Sequence, residues 1–372
     1  MSKVSSWVGM DVHKKDIVVA MLIGGERGVR EWTIPHTKKS IAKLATKLKR
    51  MSKGAVATAY EAGPCGYELQ RQLQAAGIAC QVIAPSLTPV RPGERIKTDR
   101  RDARKLAEML RAGLLVEVHA PTRAEESVRD LCRCREDLKE DLLRARHRLG
   151  KMLLRRGQVY RVGRNWTQRH RTWLRDRVFD DATEKFVFEE YLATVELLEA
   201  RLSALDAKLV EVSESEAYAE RVGWLRCFRG IDTVIAMTIL AELHDFSRFH
   251  SPRQLMAYLG LVPSEHSSGD SQHRGGITKA GNSHVRRVLI EAAWHYRHRP
   301  AVGVGLRKRR QGQPAGTIAL ADKAQQRLHR RYTRLVLGRG KSSQKTVTAI
   351  ARELSGFIWT ALYVYPREIQ VT

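Results

Sequence analysis

The chain is short of acid and of cysteine, and it lacks any long apolar run. Its 372 residues carry 40 Asp and Glu against 66 Lys and Arg, a formal net charge of +26. That deficit points to a polyanionic partner, nucleic acid ahead of membrane lipid. Ribosomal and architectural proteins share it, so charge alone names no activity. The five cysteines, Cys65, Cys80, Cys132, Cys134 and Cys227, form an odd set with no repeated CxxC spacing. This argues against a disulfide framework and a zinc module, and the thiols are expected to be reduced and buried. No stretch approaches the roughly 20 apolar residues of a membrane span. Asp11, Lys14 and Lys15 interrupt what would be the apolar part of a secretory leader. A soluble, cytoplasmic protein is expected.

The length suggests two or three domains. Residues 1–125 alternate strand-like and helix-like pieces. "SWVGMDVHKKDIVVAMLIGG" reads as two strands around a polar turn and "GVREWTIP" as a third. Helix 40–51, the strand "GAVATAYEAG" ending at Glu61, helix 64–76, the strand "ACQVIAP" and a helix within 94–110 follow. Strands mixed with helices in this order predict an α/β layer around a central sheet.

Residues 126–218 are long, charged and free of strand pattern. Tyr191, Val195, Leu198, Leu202, Leu205, Leu209 and Val212 recur at alternating steps of four and three, the seam of a coiled coil. Leu131, Leu138, Leu142, Ala145, Leu149 and Met152 form a rougher stripe on the preceding helix. The two stripes can meet as an antiparallel hairpin, between chains, or as ordinary bundle helices. The basic stretch from Arg155 to Arg177, with Trp166 and Trp173, reads as an irregular connector. Its tryptophans suit packing against the helices or stacking on bases.

Residues 219–372 form a mainly helical third unit. "WLRCFRGIDTVIAMTILAEL" places a Gly-Ile-Asp turn between two helical patterns. Gly230 either helps hold a backbone phosphate, as in a helix-hairpin-helix, or caps a tight interhelical turn. "LVPSEHSSGDSQHRGGITKAGNSHVRRVLIEAAW" reads as a polar, glycine-rich loop leading into a helix. Between Arg297 and Lys345 there are 14 Lys or Arg against the single acid Asp322. Such a run is either a solvated face or a nucleic-acid groove, in which Arg307, Lys308, Arg309, Arg310, Arg330 and Arg331 would take part. Lys279, Arg286 and Arg287 flank the serine-rich loop, as phosphate contacts or as surface charge.

Four carboxylates occupy places a catalytic site would use. Asp11 is the acid of the strand "WVGMDV", Glu61 ends "AVATAYE", and Asp99 and Asp102 lie three apart in "ERIKTDRRDARKLAEML". On a helix that spacing puts both on one face. An unpaired acid in an apolar strand is strongly disfavoured, so Asp11 and Glu61 need either a metal or a basic partner. Two Mg²⁺ ions about 3.5–4 Å apart stabilise the attacking and leaving oxygens of a phosphodiester, and magnesium takes hard oxygen ligands. The surrounding basic residues, Arg100 and Arg101 among them, would contact flanking phosphates. His13, two residues from Asp11, either assists at the metal or lies in a surface turn.

"VGMDVHK", "YEAGPCG" and "IKTDRRDARKLAEML", followed by "FRGIDTVIAMTILAEL", "LMAYLGLVPSEHSSG" and "GGITKAGNSHVRRVLIEAAW", resemble the DEDD-type insertion-sequence transposases. The resemblance runs through nearly the whole chain. It implies a RuvC-like, ribonuclease-H-type N-terminal domain, a coiled-coil insertion and a C-terminal transposase domain. It also implies that Asp11, Glu61, Asp99 and Asp102 are the DEDD tetrad holding Mg²⁺. A nucleophilic serine is implied ahead of a glycine in the loop after "GLVP", here Ser268, with Ser267 beside it and Ser271 close by. The chemistry so implied is strand cutting through a 5′-phosphoserine link and rejoining without ATP. Double-stranded donor and target DNA, a guide RNA from the element's own end, a homodimer or homotetramer and association with the nucleoid of a prokaryotic cell complete the expectation. Two other readings stay open: a Holliday-junction-resolvase-like nuclease that activates water, and a catalytically silent nucleic-acid-binding protein.

Overall fold

The computed structural model describes residues 4–89, 98–268 and 271–364. The chain divides into two compact units, Met1–Thr122 and Arg123–Thr372. In the first, the elements run β1 (Val4–Val12), β2 (Asp16–Ile23), β3 (Arg30–Pro35), α1 (Lys38–Met51), β4 (Ala55–Glu61), α2 (Glu68–Ala75), β5 (Ala79–Ile83) and α3 (Asp99–Ala112). The sheet order is β3-β2-β1-β4-β5. The first three strands are mutually antiparallel, while β4 joins β1 and β5 joins β4 in parallel. The second helix begins at Glu68, four residues later than the sequence pattern suggests. Arg95 and Lys97 of the basic run lie outside the described residues.

Strand alternation gives this sheet two unlike faces. Val8, Met10, Ile17, Val19, Met21, Tyr60 and Val82 pack with Ile41, Leu44 and Leu48 of α1 and with Leu69 and Leu73 of α2. The opposite face is built from small residues: Gly9 pairs with Ala20 on one side and Ala59 on the other. Against it lies α3, through the fully buried Ala103 and Ala107. A Cβ on Gly9 would fall 2.1 Å from the Ala103 carbonyl oxygen and 2.5 Å from the Ala107 amide nitrogen. Helix backbone therefore rests directly on β1. Thr98 caps α3 by accepting the Arg101 amide at 3.4 Å, Gly113 ends it at φ 68°, and Arg104 pairs with Glu31 of β3 at 2.7 Å.

The second unit opens with α4 (Arg123–Arg155), α5 (Gln168–Arg175) and α6 (Ala182–Ser213). Arg135 pairs with Asp206, Arg146 with Glu199 at 2.6 Å and Arg156 with Glu184 at 2.7 Å. Residue numbers rise on α4 as they fall on α6, so the two helices pair antiparallel within the chain. The seam residues from Tyr191 to Val212 are all buried or half-buried. The connector is not wholly irregular, because Thr167 caps the two-turn helix α5, which buries His170 and Leu174. Trp166 and Trp173 pack against the α4–α6 cluster, which accounts for their bulk.

The remaining elements are α7 (Ala219–Arg226), α8 (Thr233–Leu243), α9 (Pro252–Tyr258), β6 (Pro263–Ser268), β7 (Ser271–Ile277), α10 (Ser283–Ala293), α11 (Val304–Arg310), α12 (Ala315–Val336) and α13 (Ser343–Trp359). Buried on nearly all sides, α8 forms the centre of the larger core with residues of α7, α10, α12 and α13. The segment expected to be a polar loop is instead the antiparallel hairpin β6–β7. Its strands, "PSEHSS" and "SQHRGGI", lack the apolar alternation by which strands are read. Cys134 is exposed and Cys65 half-buried, so the expectation of buried thiols holds for Cys80, Cys132 and Cys227 alone. Among the described residues no helix is long and apolar enough to cross a membrane.

A buried ionic network joins α4, α8 and α10. Glu242, 1% exposed, accepts two hydrogen bonds from Arg133, at 2.7 and 2.9 Å, and one from Asn282 at 2.6 Å. Asn282 also caps α10 through the Val285 amide. Beside it Glu136 accepts from Arg287 at 2.7 Å and lies 2.8 Å from His284 Nδ1. Burial pushes the Glu242 carboxyl upward, but Arg133 and Asn282 outweigh it and hold the group below its ordinary range.

Two predictions follow from this packing. Gly9→Ala drives a methyl group into α3 and is expected to cost about 1–3 kcal/mol, read as a lowered midpoint in urea unfolding. Arg133→Met leaves a buried carboxylate unpaired and is expected to cost about 3–5 kcal/mol. Because the folded pKa of Glu242 is depressed, its stabilisation is present above the ordinary glutamate value and lost as pH falls through the folded one. Arg133→Met therefore loses less stability than the wild type between neutral and acidic pH, as melting curves across that range would register.

Candidate active site

The same strand register that presses α3 onto Gly9 gathers the acids. Asp11 is two residues beyond Gly9 on β1 and Glu61 two beyond Ala59 on β4. Both side chains therefore leave the sheet on the α3 face at one end of these parallel strands. Asp99 and Asp102 occupy the first turn of α3, where the helix dipole favours negative charge. Asp11, Glu61 and Asp102 line one cavity of about 730 Å³, together with His13, His36, Cys65 and Leu106. Asp99 reaches Asp11 through His13, whose Nε2 lies 3.3 Å from Asp11 Oδ2 and 3.5 Å from Asp99 Oδ2.

Electrostatically the cluster is unfavourable as it stands. Burial pushes the Asp11 carboxyl above its ordinary range; Asp99 and Asp102 push the same way, and His13 opposes them. Asp11 is 24% exposed whereas Asp99 is 60% exposed, so the desolvation falls on the strand residue. The donor set suits a divalent cation, since Asp11, His13 and Asp99 each offer a ligand atom within 4.8 Å of the others. A bound cation would offset the burial and the repulsion that together raise Asp11. No other group of three such donors is found among the described residues.

The sequence reading left His13 as a minor candidate and passed over His36 entirely. Their signal is three-dimensional: His36, beyond β3, lies close enough for its Nδ1 to donate to the His13 carbonyl at 2.7 Å. Cys65 follows Glu61 and places its Sγ 3.7 Å from the Val12 carbonyl.

In the second unit, Ser268 ends β6 and pairs with Ser271 across the hairpin. The Ser268 side chain lies outside what the structure describes, as does that of Ser267. Lys279, at φ 54°, is exposed between the hairpin and α10. Arg286 donates to the carbonyls of Leu259 and Ala280, both at 2.9 Å, and Arg287 is shared between Glu136 and Glu291. Gly230, at φ 83°, has the Ala292 carbonyl where a Cβ would project, 2.6 Å away, so close packing in an interhelical turn accounts for the glycine. Arg100, Arg101, Arg307, Lys308 and Arg330 are exposed. Arg331 pairs with Glu353 at 3.1 Å, and Arg309 donates to the Arg226 carbonyl at 3.2 Å. Arg310 corrects the sequence reading. It is only 7% exposed, and its guanidinium bonds the Cys227 carbonyl and Asp322, which removes it from the surface available to a nucleic acid.

Asp11→Asn removes the desolvated charge and its repulsion. Without divalent metal this variant is expected to melt about 2 °C above the wild type. Added Mg²⁺ or Mn²⁺ should raise the wild-type midpoint and leave the variant unmoved, as scanning calorimetry would register.

Comparison with known proteins places the chain in a family. Residues 8–156 match a DEDD-type, IS110 family model described as a transposase, and residues 224–303 match the model of the transposase IS116/IS110/IS902 family. The chain is 40% identical over 355 residues to a putative transposase of Sinorhizobium fredii, covering 95% of this chain and 87% of that one. It is 36% identical over 333 residues to the transposase for insertion sequence element IS1533 of Leptospira borgpetersenii, covering 88% and 96%. With the transposase for element IS1111A of Coxiella burnetii it shares 27% identity over 232 residues, 60% and 61% of the two chains. The chain belongs to the IS110 family of insertion-sequence transposases, enzymes whose substrate is DNA.

Proposed function

We propose that this transposase cuts and rejoins DNA at a magnesium centre held by Asp11, Glu61, Asp99 and Asp102, with Ser268 as nucleophile. The observation that carries the reading is the convergence of Asp11, Glu61 and Asp102 on one cavity, with Asp99 drawn in beside Asp11. The mixed sheet with an acid on its central strand supports a RuvC-like, ribonuclease-H-type domain over residues 1–125. The antiparallel α4–α6 pair supports a coiled-coil segment over 126–218, which leaves 219–372 as the transposase domain that carries Ser268.

Asp11, Glu61, Asp99 and Asp102 would hold Mg²⁺, which would supply positive charge to the phosphodiester undergoing exchange. Asp11 and Glu61 are fixed by parallel strands and the two α3 aspartates by the contact at Gly9, so the cage is built before substrate arrives. The Ser268 hydroxyl attacks phosphorus and gives up its proton; the Oγ–P bond forms, the P–O3′ bond breaks and the departing 3′ oxygen takes up one proton in exchange. The 5′ end then remains on the serine. A 3′ hydroxyl from the exchanged strand attacks that ester, releases the serine and restores a phosphodiester. One phosphoester replaces another at each step, so no ATP is consumed.

Exposed basic residues supply the backbone contacts: Arg100 and Arg101 beside the acids, Lys279 by the hairpin, and Arg307, Lys308 and Arg330 in the basic C-terminal region. Within that region Arg327, Arg330, Arg331 and Arg334 line a recess of about 410 Å³. A guide RNA pairs with donor and target, leaving the protein to read backbone shape. Exchange between two duplexes needs two active sites, which calls for a dimer or a tetramer.

Trapping on DNA tests the proposal. With Mg²⁺ and the guide RNA, wild-type protein should form a denaturation-resistant protein–DNA adduct. Ser268→Ala and Asp11→Ala should each reduce it by at least ~10³-fold. Hydrolytic cleavage that persists in Ser268→Ala would replace this mechanism with a resolvase-like use of water.

A further inference from the structure

The mechanism above gives no role to one side chain at the heart of the acidic cluster. His13 follows β1 in the turn to β2, and its backbone is held on both sides. Its amide donates to the Asp16 carbonyl at 2.9 Å, and its carbonyl accepts from His36 Nδ1 at 2.7 Å. The ring is thereby aimed between two carboxylates, with Nε2 3.3 Å from Asp11 Oδ2 and 3.5 Å from Asp99 Oδ2. Both separations exceed the ~2.7–3.2 Å of a good N–H···O hydrogen bond. They leave Nε2 and the two carboxylate oxygens close enough together to converge on one ion.

We propose that His13 Nε2 is a direct ligand of the divalent ion shared by Asp11 and Asp99, and that this nitrogen tilts the site toward first-row transition ions relative to an all-oxygen cage. The inference rests on the metal reading of the acids and adds to it. Magnesium favours hard oxygen donors, whereas imidazole suits first-row transition ions, so a mixed N,O set relaxes the preference for Mg²⁺. The geometry agrees, because Asp11, His13 and Asp99 each offer a ligand atom within 4.8 Å of the others, the one such group among the described residues. Ligation through Nε2 also requires the ring proton to sit on Nδ1, a tautomer the half-exposed ring can adopt by giving Nδ1–H to water.

The test uses Mn²⁺ as a paramagnetic probe on the full-length protein. Electron spin-echo modulation of the wild type loaded with one Mn²⁺ should show coupling to a directly bound ¹⁴N, replaced by a ¹⁵N pattern when histidine is isotopically labelled. His13→Gln should abolish the coupling, and His36→Gln should retain it. Calorimetric titration should show the ratio of Mn²⁺ to Mg²⁺ affinity falling by ~10-fold in His13→Gln, with the melting temperature in the absence of metal reporting that the variant is folded. Mn²⁺ bound to the wild type without nitrogen coupling, or coupling that survives in His13→Gln, would overturn the assignment of His13 and leave the acidic centre standing. Failure of the wild type to bind either ion would instead remove the metal centre itself, and the role of His13 with it.

Discussion

The contact between α3 and Gly9 is the constraint on which the rest of the first unit depends. Two acids come from strands that the sheet registers automatically, but the other two come from a helix that could dock at many heights. Burial of Ala103 and Ala107 against Gly9, Ala20 and Ala59 sets that height, because only a surface without side-chain bulk lets helix backbone come so near. Once the helix is seated, its first turn projects beside the strand ends. The stability of the α3 face and the assembly of the acidic cluster are therefore one structural fact. The opposite face, with its large aliphatic side chains under α1 and α2, supplies the bulk of the hydrophobic stabilisation and leaves the α3 face free to be shaped for the site.

Much of this was legible from the residues alone. Alternation in "WVGMDV" and "DIVVAMLI" predicts half-buried strands, and the three-residue spacing of Asp99 and Asp102 places them on one face of a helix. The seams on α4 and α6 were equally visible, although their period could not say whether they meet within a chain or between chains; Arg146, Glu199 and their neighbours decide that through side chains far apart in sequence. The hairpin β6–β7 escaped because its strands are polar on both faces, and α5 because a helix of eight residues with four basic or histidine side chains shows little apolar stripe. The close approach at Gly9 was also hidden, since a glycine inside a strand signals an intimate contact without naming the partner. The placement of His13 was hidden for the same reason, its second carboxylate, Asp99, being 86 positions away in the chain.

The second unit solves a different problem, that of holding many cations in a folded domain. Arg133, Arg135, Arg146, Arg287 and Arg310 are each met by an acid inside or at the edge of the helical packing. In several cases the acid is the more deeply buried partner, as with Glu242. Such pairs contribute modest net stability, because desolvation offsets much of their attraction, but they penalise any packing that separates the partners. Asn282 extends this logic to the start of α10, binding Glu242 with its amide nitrogen while its amide oxygen caps the helix that follows the β6–β7 hairpin. The acids of this unit are thus largely committed to structure, and the net positive charge of the chain is left on surfaces such as α11 and α12.

This division explains how carboxylates persist within so basic a chain. If an arginine had paired with Asp11, the carboxyl would titrate low. Instead burial and the neighbouring aspartates hold Asp11 above its ordinary range, while Arg104, one turn further along α3 from Asp99, is drawn away to Glu31 on β3. On the metal reading proposed above, a dication held there would offset that burial and repulsion, so the interactions that raise Asp11 would favour its binding. The pairing of particular arginines with particular acids, more than the totals of charge, sets the character of each carboxylate, so that Glu242 is held low while Asp11 is held high.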